Sequence, residues 1–116
     1  MTNAKQLLEV LGEPMRMTLL ERLVEAPATA TELARSLPVT RSAVSQHLQV
    51  MKSVGLVSDT PSGASRVYTV DPDALALLRG YFDLFWNRSL HAFKQTVERT
   101  RPGGDALPHA SPRSPS

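Results

Sequence analysis

At 116 residues, 41% hydrophobic and 21% charged, the chain has the size of one compact domain and the apolar share to build a core without metal or disulfide staples, which argues against a two-domain enzyme. The absence of cysteine excludes disulfides, thiolate nucleophiles and cysteine-ligated zinc, and it fits a reducing compartment. With 13 Lys and Arg against 11 Asp and Glu, the net charge of +2 is too mild to announce a nucleic-acid partner, so the distribution of charge has to decide.

Residues 4–12 place Leu7, Leu8 and Leu11 at helical spacing, and Gly12 ends that helix. Pro14 suits the first turn of a second helix, whose Met15, Leu19, Leu20, Leu23 and Val24 recur on one face until Ala26-Pro27. Thr29 and Glu32 have the spacing of a capping box, so a short third helix is expected to about Leu37, where Pro38 ends it. Thr40 can cap a fourth helix that starts at Arg41, and Gly55 can supply its left-handed C-cap. The third and fourth helices flank a connection of about three residues, the spacing of a helix-turn-helix.

Beyond Gly55 the pattern alternates. Residues 56–60 and 66–70 read as short strands rich in β-branched side chains, joined by a turn over 61–65 with Gly63 at its tip, which makes a β-hairpin. Asp71-Pro72-Asp73 opens a long last helix with acidic residues at its positive end, and Leu75, Leu78, Phe82, Phe85 or Trp86, Ser89, Phe93 and Val97 continue one stripe along it. The expected fold is mainly α with a small β-hairpin wing: a winged helix-turn-helix of four helices, two strands and a fifth helix. Residues 101–116 are dominated by Pro, Gly and Ser and read as a disordered tail holding His109 and Arg113, which leaves 1–100 as the folded domain. No apolar run approaches the roughly 20 residues of a membrane helix, and the start of the chain lacks the apolar core of a secretion signal, so a cytoplasmic protein with no membrane partner is expected.

Advancing about 100° per residue along the fourth helix gathers Arg41, Ser42, Ser45, Gln46, Gln49, Lys52 and Ser53 in one arc of about 140°, with Val44, Leu48, Met51 and Val54 opposite. Arg and Gln can make bidentate hydrogen bonds to guanine or adenine edges, and short Ser hydroxyls can meet bases or phosphates at close approach. From Leu33 to Ser58 there is no Asp or Glu, while Arg35, Arg41 and Lys52 lie inside, so the mild global charge hides a cationic segment. A solvated amphipathic face would explain the arc but not the missing acids, the tight turn before it and the hairpin after it. Arg66 follows the hairpin tip, where a cation can reach a phosphate; an ion pair with Asp59 across the hairpin is its other use, and both can hold in different states. His47 sits at the edge of the apolar arc and reads as a partly buried, hydrogen-bonded ring rather than a base contact.

The last helix collects Tyr81, Phe82, Phe85, Trp86 and Phe93, every aromatic residue except Tyr68. Rows at i, i+4 on two adjacent faces suggest that one face packs inward while the other meets a second copy, giving a homodimer whose interface takes Phe82, Phe85, Trp86 and Phe93 with Leu7, Leu8 and Leu11. Such a dimer would pair two recognition helices about one DNA turn apart. His91 reads as an exposed helix residue, and no cofactor or metal site is expected. Without a glycine-rich phosphate loop or a nucleophile elbow, an enzyme is not expected.

The runs Leu8-Glu-Val-Leu-Gly-Glu-Pro-Met-Arg-Met-Thr-Leu-Leu-Glu-Arg-Leu23, Thr31-Glu-Leu-Ala34, Ser42-Ala-Val-Ser-Gln-His-Leu-Gln-Val-Met-Lys-Ser-Val-Gly-Leu-Val57 and Gly63-Ala-Ser-Arg-Val-Tyr68 resemble the ArsR/SmtB family of bacterial and archaeal repressors. Phe85-Trp-Asn-Arg-Ser-Leu-His-Ala-Phe-Lys94 further resembles its SdpR-like, metal-independent branch. The resemblance implies a dimeric winged-helix repressor whose first and last helices dimerise, whose fourth helix enters the major groove and whose wing touches the backbone, with DNA contacts falling on Arg41, Ser42, Ser45 and Gln46. Metal-sensing relatives carry cysteines where this chain has Ala34 and Arg35, or an Asp-x-His pair where it has Asp83-Leu84-Phe85. The function expected is that of a sequence-specific DNA-binding regulator, a homodimeric repressor on a palindromic operator in double-stranded DNA, autoregulatory or relieved by an effector the sequence does not identify. The alternative is a winged-helix protein-interaction module that docks a partner on its aromatic helix.

Overall fold

The computed structural model describes residues 2–100. Asn3 and Gln6 close a capping box at 2.9 and 3.0 Å and start α1 (Ala4–Leu11). Glu13 caps α2 (Pro14–Glu25) by accepting the Arg16 amide at 3.1 Å, and Pro14 fills the first turn, where its missing N–H costs nothing. A two-residue strand, β1 (Ala28–Thr29), runs straight into α3 (Ala30–Arg35), whose capping box has the expected partners: the Thr29 hydroxyl accepts the Glu32 amide at 3.1 Å and the Glu32 carboxylate accepts the Thr29 amide at 2.8 Å. The third helix stops two residues short of Leu37. Leu37 precedes Pro38, and the proline ring disfavours helical backbone at the residue before it. The turn to α4 (Arg41–Ser53) therefore takes residues 36–40 rather than three.

The end of α4 is a Schellman motif: the Leu56 amide bonds the Met51 carbonyl and the Gly55 amide the Lys52 carbonyl, both at 3.0 Å, with Gly55 at φ 81°. Then β2 (Val57–Ser62) and β3 (Ser65–Val70) pair antiparallel with Asp59 opposite Tyr68 and Ser62 opposite Ser65. Gly63, at φ 61°, makes the connection a two-residue turn, so the strands extend past the expected 61–65 loop. Pro61 is tolerated because β2 is an edge strand in the order β1-β3-β2. The pairing of β1 with β3, Ala28 with Tyr68 and Thr29 with Val67, was not expected; two residues are too few to carry a periodic signal. Asp71 then caps α5 (Pro72–Thr100), accepting the Asp73 amide at 2.8 Å.

The chain divides into two compact units, one ending at Tyr81 and the other beginning at Phe82, so the domain expected over 1–100 runs across both. In the first, Leu7, Leu19, Leu20, Leu23, Leu33, Val44, Leu48, Met51, Leu56, Val57, Tyr68 and Ala74 form one core. The residues expected at an interface differ in burial. Leu7 and Leu11 are 0% and 6% exposed and belong to this core, so only the half-buried Leu8 of that trio keeps surface to offer. Truncating either core leucine would cost about 2–5 kcal/mol as a cavity rather than as a lost subunit contact. In the second unit, the described residues from Phe82 to Thr96 are all exposed. The expected tail, with His109 and Arg113, lies outside the described residues.

Candidate nucleic-acid interface

The site is built on α4. The Thr40 hydroxyl accepts the Ala43 amide at 3.0 Å and fixes where the helix begins. Val44, Leu48 and Met51 are wholly buried on its inner face, and this rotation turns the opposite arc outward. Arg41, Ser42, Gln46, Gln49 and Lys52 are exposed and Ser45 is half-buried. Four of these, Arg41, Ser42, Ser45 and Gln46, have no side-chain hydrogen bond or ion pair among the described residues, so their donors and acceptors remain available.

The wing is tied to this helix at two points. Gln49 Nε2 reaches the Tyr68 hydroxyl at 3.4 Å, and Lys52 Nζ lies 3.0 Å from Asp59 Oδ1. Arg66 Nε donates to Asp59 Oδ2 at 2.6 Å, so the ion pair weighed from the sequence is formed, with Lys52 as a second cation on the same carboxylate. The Asp59 side chain is only 4% exposed, covered by those two cations. The Arg66 hydrogen bond, and after it that of Lys52, holds its carboxyl below the usual carboxylate range.

A cleft of about 300 Å³ opens between α4, the start of α3 and the wing. It brings together Arg41, Ser45 and Gln49 from α4 with Arg66 from β3, and it adds Thr31, Ser65 and Tyr68, which the sequence reading did not single out. Among the described residues no acidic side chain lines it. Thr31 and Ser65 carry no pattern that would have marked them; only the pairing of β1 with β3 and the two-residue hairpin turn bring them to the helix.

His47 is half-buried, with Arg16 Nη1 at 3.5 Å from its Nδ1, and Arg16 Nε is anchored on the Val10 carbonyl at 2.7 Å. That position sits behind the reading arc, toward α2. His91 is exposed, and among the described residues no three His, Asp or Glu side chains gather as a metal site. On α5, Phe82, Phe85, Trp86, Leu90 and Phe93 are about half exposed or more, Phe93 reaching 64%. No helix of the described residues is long and apolar enough to cross a membrane.

Residues 11–60 match the family model described as a helix-turn-helix domain. The chain is 47% identical over 90 residues, 78% of its length and 84% of the relative's, to the HTH-type transcriptional regulator Rv2034 of Mycobacterium tuberculosis. Among solved structures it is similar to a "Possible transcriptional regulator for arsenical resistance", at 41% identity and TM-score 0.65 over 75% of this chain and 95% of that one. An ArsR-like transcriptional regulator from Rhodococcus sp. RHA1 matches at 28% identity and TM-score 0.64, over 81% of this chain and 92% of that one.

Proposed function

Since the chain belongs to the ArsR/SmtB family of winged helix-turn-helix transcriptional regulators, we propose that it acts as a homodimeric repressor that places α4 of each protomer in the major groove of a palindromic operator. It is a transcriptional regulator and not an enzyme. The observation that carries the reading is the outward arc of α4, with Arg41, Ser42, Ser45 and Gln46 free of partners among the described residues beside a cleft without acids. In this reading Arg41, Ser42, Ser45, Gln46 and Gln49 address base edges and nearby phosphates, while Lys52 and Arg66 meet the backbone with the donors that Asp59 leaves over. The exposed aromatic row of α5 and Leu8 supply the partner-facing surface. The regulator works in the cytoplasm, on its own promoter among others, and belongs to the metal-independent branch, because Ala34, Arg35 and Phe85 replace the ligands of its metal-sensing relatives.

The experiment is footprinting of the purified protein on its own upstream region, with and without zinc. Arg41→Ala combined with Ser45→Ala should weaken operator binding by about 1–3 kcal/mol per protomer while leaving the circular dichroism spectrum unchanged, since both side chains lie outside the core. Unchanged operator affinity would refute the reading arc, and zinc-dependent release would refute metal independence.

A further inference from the structure

Between Leu33 and Val70, the stretch that contains α4 and the wing, Asp59 is the sole acidic residue. A lone carboxylate on a surface meant for a polyanion is unfavourable unless something covers it. Here it is covered by two of the four basic residues of the same stretch, Lys52 at 3.0 Å and Arg66 at 2.6 Å, while Arg35 and Arg41 form no ion pair among the described residues. Asp59 stands directly opposite Tyr68 in the β2–β3 ladder, so both side chains leave the hairpin on the same face, the one that Lys52 and Gln49 of α4 reach. The carboxylate is thus the knot between helix and wing. Each cation spends one donor on it: Arg66 uses Nε and keeps both terminal amino groups, and Lys52 keeps two of its ammonium protons. Their side chains remain 51% and 43% exposed.

We propose that Asp59 is a positioning residue that sets the specificity of DNA binding, fixing Lys52 and Arg66 across the helix–wing junction and cancelling one of their two charges. At separations near 3 Å, far inside the Debye length of about 8–10 Å, a phosphate approaching from outside meets the trio as roughly one net positive charge. The pair then grips phosphate where the operator's groove brings a backbone into line with the fixed donors, and it adds little on duplex that does not fit. A plain brace between wing and helix would make a different prediction: its loss would weaken operator and random duplex alike, without changing how many counterions are released.

The inference rests on the DNA-binding reading, and the test separates the two. Affinities of the full chain and of Asp59→Asn are measured by fluorescence anisotropy on the footprinted upstream duplex and on a random duplex of equal length, between about 50 and 200 mM salt. For the variant, the slope of log K against log salt on the random duplex should steepen by about 0.9 per protomer, an extra loss of roughly 3.5-fold per protomer across that range. The operator-to-random ratio at low salt should fall about threefold or more. An unchanged slope, or an equal drop on both duplexes, would overturn the proposal. Should the amide disrupt the wing, as judged by circular dichroism, Asp59→Ser makes the same change of charge with a smaller side chain and is read the same way. Failure of the wild type to bind its upstream duplex would overturn the DNA-binding reading and this proposal together, whereas wild-type operator binding with an unaltered variant slope would overturn this proposal alone.

Discussion

The Arg66 guanidinium, followed by the Lys52 ammonium, draws the Asp59 carboxyl below its ordinary value of 3.8, and the direction of that shift fixes how acid acts on the wing. A carboxylate with a lower pKa in the folded chain than in the unfolded one stabilises the fold above the unfolded value, and the contribution is lost as pH falls through the folded value. Wild type and Asp59→Asn should therefore differ in melting temperature at neutral pH, with the gap closing as pH drops below about 3.8. Raising salt should shrink the gap only slightly, because the charges lie 2.6 and 3.0 Å apart, far inside the screening length. A gap that persists at low pH would mean that the amide acts through shape and not through charge. At this scale the outward arc of α4 was legible because burial of Val44, Leu48 and Met51 sets the rotation of the helix, and helical spacing in the sequence reports that burial directly. The Arg66–Asp59 pair was legible as an option, since the two sit near the hairpin tip. The part played by Lys52 was not, because it depends on where the helix ends relative to the wing, a tertiary quantity with no local pattern.

Among the elements, α4 depends most visibly on its ends. Thr40 satisfies the Ala43 amide at its start, and Gly55 takes the left-handed backbone that lets the Leu56 and Gly55 amides bond the last carbonyls. Thr40→Ala should cost about 1 kcal/mol, seen as a melting-temperature drop of roughly 4–8 °C for a unit of this size, with a matching loss of operator affinity only if the frayed first turn carries Arg41 away from the groove. Thermal melts by circular dichroism check the first part, and a drop below 1 °C would show that water replaces the hydroxyl at no cost. The helices were readable because each has its own start and stop chemistry: Thr29 with Glu32, Pro14, Thr40 and Gly55. Elements held by partners distant in sequence were less so. The strand β1 exists only because β3 offers an unpaired edge, and α3 ends early for a steric reason at Leu37 that weakens helical backbone without forbidding it. Leu7 and Leu11 follow the same rule: helical spacing marks their apolar face but not whether the chain itself or a second copy covers it, and here the core of the chain takes both.

For the whole molecule, the question is what meets the aromatic row of α5. Phe85 and Trp86 are 60% and 56% exposed, neighbours to Phe82, Leu90 and Phe93 on one helix, an apolar surface that monomeric proteins rarely leave to water. Sedimentation at micromolar concentration should give the mass of a dimer. Phe85→Glu with Trp86→Glu should shift it to monomer, and operator affinity should fall with it because two half-sites about one turn apart can no longer be held together. A monomeric wild type would refute the assembly. The pairing of Ala28 with Tyr68 and of Thr29 with Val67 has a topological consequence. These two residue pairs clasp the ends of a loop that contains all of α3 and α4, so the turn-and-helix segment lies inside a closed ring of chain. Opening that travels along the chain from α2 meets the clasp of these pairs before it reaches α3. Thr29 belongs to it twice, as a strand residue facing Val67 and as the cap of α3, so opening the ring unlocks the first turn of the helix-turn-helix in the same event.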